Sequence, residues 1–374
     1  MITLAQRIGT KVHLSTVDNR DAWHSLIRTL PQSHVLQTWD WGEFKRKTTG
    51  WQPQRYAFEL DGQIVAAASV LQRPIGPFSF VYVPKGPLFR SLELTIVDAV
   101  LDALIKQYPR AIWIKIDPDV IIATGLLTEQ GNSTEQPYIP QEEGLAFQAR
   151  LQQKNWRFSS DQVQFRNTLI LDLTLEEADL LAQMSQSTRR KIRQADKHAI
   201  HVREGTKADL RVLYELYVTT GQRQDFIVRP WEYYHLLWTS FLDAQLAQVF
   251  VAEHEGQILS GCVLFCFADR VWYFYGMSSN EHRHMQPNYA LQWAAIRWAK
   301  ANGYRVYDWW GAPNSFVEAD PMWGVYRFKR GFGSTVVHTV GAWDYAPHAG
   351  VYWLYTRAVP RLRSLLRRAK SKGK

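Results

Sequence analysis

Apolar and polar positions alternate along Arg55–Arg73 (RYAFELDGQIVAAASVLQR) and again along Val249–Phe267 (VFVAEHEGQILSGCVLFCF), and an acidic residue followed by glycine interrupts each run near its middle. A two-residue period reads as half-buried strand, and the Asp61-Gly62 and Glu255-Gly256 pairs suit the positive φ of a tight hairpin turn. Gly62 and Gly256 lie 194 positions apart. The order continues alike in both places, with an aromatic strand after each hairpin, FSFVYVPKG from Phe78 and RVWYFYGMSS from Arg270. Helices follow over Asp98–Gln107 and Asn288–Asn302, where apolar residues recur at spacings of three and four. Each run then closes on a strand, AIWIKIDP carrying Asp117 and RVYDWWG carrying Asp308, at an offset of 191. Five elements in one order at nearly one offset identify an internal duplication.

Hairpin, strand, helix and strand make up the core of the GNAT-type (acyl-CoA N-acyltransferase-like) fold, a mixed α/β (α+β) sheet flanked by helices. Two tandem GNAT-like domains are therefore expected, over residues 1–160 and 161–332, with a cleft between them of the kind ligands favour. The second domain opens on the alternating strand Gln164–Leu173, followed by a helical stretch over Glu176–Lys197. Leu126–Gly144 is polar, rich in Gly, Pro and Gln and without a period, and reads as a surface loop. Residues 333–374 form a tail: a strand within Ser334–Tyr345 that returns to the first domain, then a basic amphipathic helix over Val351–Lys374.

A length of 374 residues suits two domains, and a composition of 46% hydrophobic and 21% charged residues is that of a globular chain. The net charge of +9 favours polyanionic partners such as nucleic acid, nucleotide phosphates or anionic membrane without choosing among them. No apolar stretch approaches the ~20 residues of a membrane-spanning helix, and the start lacks the apolar core of a secretory signal, so a cytoplasmic protein is expected. Cys262 and Cys266, the only cysteines, fall on one face of a strand and read as reduced core residues. Neither His282 with His284 nor any acidic cluster completes a metal-ligand spacing, and no metal is expected.

At Leu36–Trp51 (LQTWDWGEFKRKTTGW) the chain begins to resemble the Fem family of aminoacyl-tRNA-dependent peptidyltransferases, which build peptidoglycan cross-bridges. Further similar stretches are Val83–Pro87, Lys115–Asp119, Ser187–Lys197, Arg229–Tyr234, Tyr307–Pro313 and Tyr326–Gly333. The coiled-coil hairpin that some members insert in the second domain is absent, which resembles the shorter FemX-like architecture. The resemblance implies precursor binding by Lys45, four residues after Trp41, and by Arg229 with Tyr233 from the other domain. It also implies that Phe328 and Lys329 meet the aminoacylated end of tRNA, the lysine steadying the tetrahedral intermediate. An ammonium suits phosphate oxygens, Trp39 and Trp41 are placed to wall a sugar or base, and a fixed cation stabilises an acyl-transfer oxyanion. Read without the family, Lys45 lies on an amphipathic helix with solvated lysines, Arg229 is an exposed helix-start residue, and Lys329 belongs to a basic turn.

Asp117 stands as a general base for the attacking amine, beside the reading that an Asp before Pro stabilises its own turn. Arg189 and Arg193, in a basic run, offer contacts to tRNA phosphates or form a solvated helical face. The function these residues point to is an aminoacyltransferase moving an amino acid from aminoacyl-tRNA to the stem-peptide amine of a UDP-linked or lipid-linked peptidoglycan precursor. The protein is expected to act as a monomer without a cofactor, with peripheral membrane contact through the basic C-terminal helix. Three alternatives remain: an acyl-CoA-dependent GNAT enzyme, a Fem-like ligase with another acceptor, and a non-catalytic RNA-binding or membrane-surface protein. Neither YVPKGPLF nor YGMSSNEHRHMQP supplies the Arg-x-x-Gly-x-Gly loop expected of an acyl-CoA site.

Overall fold

The computed structural model describes residues 11–126 and 137–358. The chain divides into two compact units: Met1–Val120 with Glu142–Gln164 and Val340–Lys374, and Ile121–Gln141 with Phe165–Thr339. The first unit carries β1 (His13–Thr16), β2 (Gln52–Leu60), β3 (Gln63–Ile75), β4 (Phe78–Val83), β5 (Leu88–Phe89), β6 (Ala111–Ile116), β9 (Arg157–Phe158) and β17 (Trp343–Tyr345). The second carries β7 (Ile121–Thr124), β8 (Ile139–Pro140), β10 (Asn167–Asp172), β11 (His201–Glu204), β12 (Ala247–His254), β13 (Gln257–Phe267), β14 (Arg270–Ser278), β15 (Val306–Asp308) and β16 (Thr335–Thr339). Helices α1 (Arg20–Arg28), α2 (Trp39–Thr49), α3 (Leu94–Gln107), α4 (Glu142–Gln153) and α11 (Ala349–Trp353) belong to the first unit. Helices α5 (Glu177–Gln183), α6 (Gln186–Lys197), α7 (Leu210–Gln224), α8 (Trp231–Asp243), α9 (Pro287–Ala301) and α10 (Trp323–Arg330) belong to the second.

Both sheets are laid out the same way. One runs β1-β2-β3-β4-β6-β17-β9, and the other runs β11-β12-β13-β14-β15-β10-β16 before adding β7 and β8. In each, the fourth and fifth strands are the pair that runs parallel among the described strands, β4 with β6 and β14 with β15, and a helix joins them, α3 or α9. The hairpins match to the residue. Ala57 faces Ala67 and Val251 faces Gly261, and the register slips between Phe58 and Glu59 in one copy and between Ala252 and Glu253 in the other. Both turns place two residues at positive φ, Asp61 and Gly62 at 51° and 77°, Glu255 and Gly256 at 49° and 80°. That pattern follows the right-handed twist of the flanking strands. The expected tandem GNAT-like fold is thus the observed one.

The domain limits differ from the expected ones because strand pairing overrides chain order. Residues 121–141 join the second unit, where β7 pairs with β16 through Val337 and Thr124. The single strand expected within Ser334–Tyr345 is two: β16 pairs with β10 in the second unit, and β17 pairs with β6 and β9 in the first. Of the stretch read as a loop, Ile139–Pro140 is strand and α4 begins at Glu142; residues 127–136 lie outside the described residues, as does the part beyond Ala358 of the basic helix expected over Val351–Lys374, whose described start is helical.

In the second unit, α9 buries Ala290, Leu291, Ala295, Ile296 and Ala299 in a core shared with Ile192 and Ala195 of α6 and with Phe250, Cys262 and Leu264 of the sheet. In the first unit, β17 is fastened by an ion pair. Asp344, 5% exposed, lies 3.2 Å from the Lys115 ammonium and accepts hydrogen bonds from Ser159 and Tyr352. Removing one partner of a buried pair strands the other charge. Asp344→Ala is therefore expected to lower stability by ~3 kcal/mol, read as a loss of melting temperature by circular dichroism; an unchanged melt contradicts this role.

Candidate active site

The second unit's chemistry collects where β14 and β15 stop pairing. They pair over only three residues, Arg270–Trp272 against Val306–Asp308. Beyond that point β14 bulges: Val263 faces Tyr275 while Leu264 faces Tyr273, so Phe274 is the extra residue. Bulges re-aim side chains and gather next to functional sites. After β15 the chain turns through Trp310 and Gly311, both at positive φ, 49° and 101°. Asp308 shapes the turn, its Oδ1 accepting from the Trp310 N–H at 2.9 Å and from the Thr168 hydroxyl at 2.6 Å.

Lys329 reaches this turn from beneath. Tyr326 and Lys329 are the buried residues of α10, and the Lys329 ammonium, on a residue 4% exposed, donates to the Gly311 carbonyl at 2.7 Å and the Trp310 carbonyl at 3.3 Å. Burial pushes its pKa down to about 7, with the Asp308 charge pulling the other way. This burial corrects the reading of Lys329 as part of a solvated basic turn, since its side chain is bonded to main-chain carbonyls inside the unit. The residue points inward because the three- and four-residue spacing of α10 puts it on the face of Tyr326, away from exposed Arg327.

Phe328, half-buried, faces a cavity of 460 Å³ also lined by Lys191, Ser278, Ser279, Arg283 and Tyr289. Its ring meets Tyr289 edge-on at 5.0 Å, and the Lys191 ammonium donates to the Tyr289 hydroxyl at 2.9 Å. The cavity opens at the N-terminus of α9, where Pro287 occupies the first turn and the helix dipole favours negative charge. No carboxylate is among its lining residues. Arg223 adds to the field: it donates to Ser278 Oγ at 2.8 Å, and burial together with the Arg283 charge lowers its pKa. Arg283 and Tyr289 were missed by sequence reasoning; Pro287 just after a basic stretch was the available signal, marking a helix start that faces anions.

The other predicted residues form local sets. Arg189 turns back onto the end of α5, where its Nη1 donates to the carbonyls of Leu181, Ala182 and Met184 and so caps that helix. Arg193 is exposed on the same helix, α6. Arg229 is exposed with its guanidinium 4.8 Å from the Tyr233 ring, whose hydroxyl burial pushes up to about 12. In the first unit, the Lys45 ammonium sits 4.5 Å from the Trp41 ring centre. Trp41 itself is 6% exposed and serves the core, which corrects its reading as a ligand wall. Trp39 carries the Arg55 guanidinium at 3.6 Å.

Asp117 is also inside the first unit, 1% exposed. Burial raises its pKa to about 6 against the pull of Lys85, whose ammonium lies 3.9 Å away, and Tyr82 donates to it at 3.2 Å. Its N–H bonds the Gly86 carbonyl, and Lys85 also meets Asp119 at 3.4 Å. This packing ties the Lys85 turn to the end of β6, a holding role rather than that of a base open to an incoming amine. Among the described residues no group of His, Cys, Asp and Glu fits a metal ion, and no helix is long and apolar enough to cross a membrane.

Two sheets of this order, each with a hairpin, a parallel pair and a crossing helix, define a tandem GNAT-type transferase fold. The FemAB family model matches residues 20–255 and 244–359, and the chain belongs to that family. It is similar to the lipid II:glycine glycyltransferase of Staphylococcus aureus (strain MRSA252), with 24% identity over an alignment of 422 positions that spans 94% of this chain and 96% of the relative. Among solved structures it is similar to FemX, with a TM-score of 0.78 at 21% identity over 91% of this chain and 99% of that one. A tandem GNAT protein from the clavulanic acid biosynthesis pathway shares the fold, with a TM-score of 0.50 at 12% identity over 90% and 99% of the two chains. The expected enzyme class, an aminoacyltransferase, follows from this membership.

A lysine whose folded pKa is about 7 against 10.5 elsewhere fixes a pH dependence. Above the ordinary lysine range it is neutral in both states; as pH falls, the unfolded chain takes up the proton first, and the folded state bears the full cost of the charge only below about 7. The stability of wild type relative to Lys329→Met should therefore fall steadily as pH drops from about 10 to 7 and level off below. Denaturant unfolding at stepped pH measures the difference, and a flat difference contradicts a lysine whose proton affinity burial lowers.

Proposed function

We propose that the protein transfers an aminoacyl group from aminoacyl-tRNA to an amine of a peptidoglycan precursor's stem peptide. The observation that carries this reading is the carboxylate-free basic cavity at the start of α9, where Lys191 and Arg283 stand beside the aromatic faces of Tyr289 and Phe328. Phosphates together with stackable bases are what a single-stranded RNA end presents. Family membership supports the reaction class, and the S. aureus relative is named for glycine transfer involving lipid II. The Lys45 ammonium over Trp41 and the Arg229 guanidinium over Tyr233 are assigned to precursor phosphates, each in its own unit.

Against acyl-CoA, the segment between β14 and α9, Ser279–Gln286, contains no glycine, and its positive φ positions fall on His282 and Gln286. Backbone amides that cradle a pyrophosphate need the close approach that glycine allows. The reaction itself asks little of the protein as a base, because an attacking amine can release its proton to solvent or to the ribose hydroxyl beside the ester.

Purified protein incubated with mixed charged tRNAs and either UDP-linked or lipid-linked pentapeptide should yield a precursor heavier by one amino acid residue in mass spectrometry. No mass gain on any precursor with intact charging sinks the reading, and a gain with acetyl-CoA in place of tRNA transfers it to the GNAT alternative. Arg283→Ala and Lys191→Ala should each raise the donor KM about tenfold, the loss of one phosphate contact worth ~1.4 kcal/mol, with kcat less affected. Unchanged donor KM in both variants removes the cavity from the donor site.

A further inference from the structure

Three observations in the second unit converge on Trp310. Its backbone holds a left-handed φ of 49°, costly for a residue with a side chain, and Gly311 follows at 101°. A buried ammonium is spent on this turn, Lys329 Nζ donating to the carbonyls of both residues. The β14 bulge then sets Phe274 beneath the indole, with ring centres 4.1 Å apart and planes at 21°. A buried lysine without a carboxylate as its direct partner is expensive, and both carbonyls would be hydrogen-bonded at less cost in an ordinary turn. The molecule bears these costs to hold one half-buried indole in one place. That place follows the carboxyl end of β15, next to β14, whose own end at Ser278 lines the basic cavity. Crevices at the carboxyl ends of parallel strands are where such folds bind ligands.

We propose that Trp310 is a contact for the aminoacyl end of the donor, and that Lys329 is a positioning residue that acts through it by clamping the Trp310–Gly311 turn. The inference rests on the donor reading given above. It differs from a lysine acting directly on the oxyanion in one measurable respect, the coupling between the two side chains. If Lys329 works through Trp310, its removal costs nothing more once the indole is gone.

The test is a cycle of wild type, Trp310→Ala, Lys329→Met and the double variant, with circular dichroism confirming folded protein and kcat/KM read for transfer from charged tRNA. Each single variant should lose about tenfold or more, and the double variant should be no worse than the poorer single. Multiplied losses in the double variant overturn the positioning role. An activity-free arm uses protein labelled with 5-fluorotryptophan, in which Trp310→Phe identifies the Trp310 fluorine resonance. Lys329→Met should shift that resonance, and adding a glycyl-minihelix RNA to wild type should shift it too. A resonance unmoved by Lys329→Met refutes the clamp, and one unmoved by the RNA refutes the donor contact. Failure of wild type to transfer any amino acid counts against the donor reading, while the fluorine arm still decides the clamp.

Discussion

The second unit depends on a parallel pairing that stops early. Two adjacent strands joined by a helix would ordinarily run side by side for their whole length, yet β14 and β15 share three residue pairs and then part. The parting leaves main-chain groups that must find other partners, since buried N–H and C=O groups are seldom left unpaired. Trp309 donates to Leu169, Trp310 to Asp308 and Gly311 to Thr168, while the carbonyls of Trp310 and Gly311 take the Lys329 ammonium. Side chains here do the work that a longer ladder would have done. The basic cavity lies past the far end of β14, where Ser278 and the first residues of α9 line it.

Charge and aromaticity act together at each candidate contact. Lys45 on Trp41, Lys191 on Tyr289 and Arg229 on Tyr233 place a cation against a ring at 4.5, 4.6 and 4.8 Å. Such pairs narrow the arrangements open to a long flexible side chain, so less freedom is lost when a phosphate arrives. A net charge of +9 favours polyanions at the surface in general; under the proposed function, these seated cations are where that attraction gains direction.

Much of the fold was legible because hairpins announce themselves locally. Asp61-Gly62 and Glu255-Gly256 fix their turns, and the 194-residue offset between them carries through to the register slip. Domain limits were not legible, since whether residues 334–345 make one strand or two is decided by partners far away in the chain, β10 for one part and β6 for the other. The site was half visible. Residue type and family pattern singled out Phe328, which lines the cavity, but the inward turn of Lys329 was not legible, because a run of Arg, Phe, Lys and Arg gives no sign of which cation a short helix buries. Burial likewise altered Trp41 and Asp117, whose chemistry in isolation suits a ligand wall and a base.

The exchange of strands at the chain's end bears on how the protein is made. In the second unit the strand beside β15 is β10, which precedes it by more than a hundred residues, whereas in the first unit the matching place beside β6 is filled by β17, near the last described residues. During synthesis the second sheet has all its strands once β16 has emerged. The first sheet still waits for Trp343–Tyr345, with the free edge of β6 exposing unpaired amides and carbonyls to any passing strand. The half of the molecule that is translated first is the half that closes last, so a chain cut between Thr339 and Trp343 carries every strand of one sheet and lacks one strand of the other.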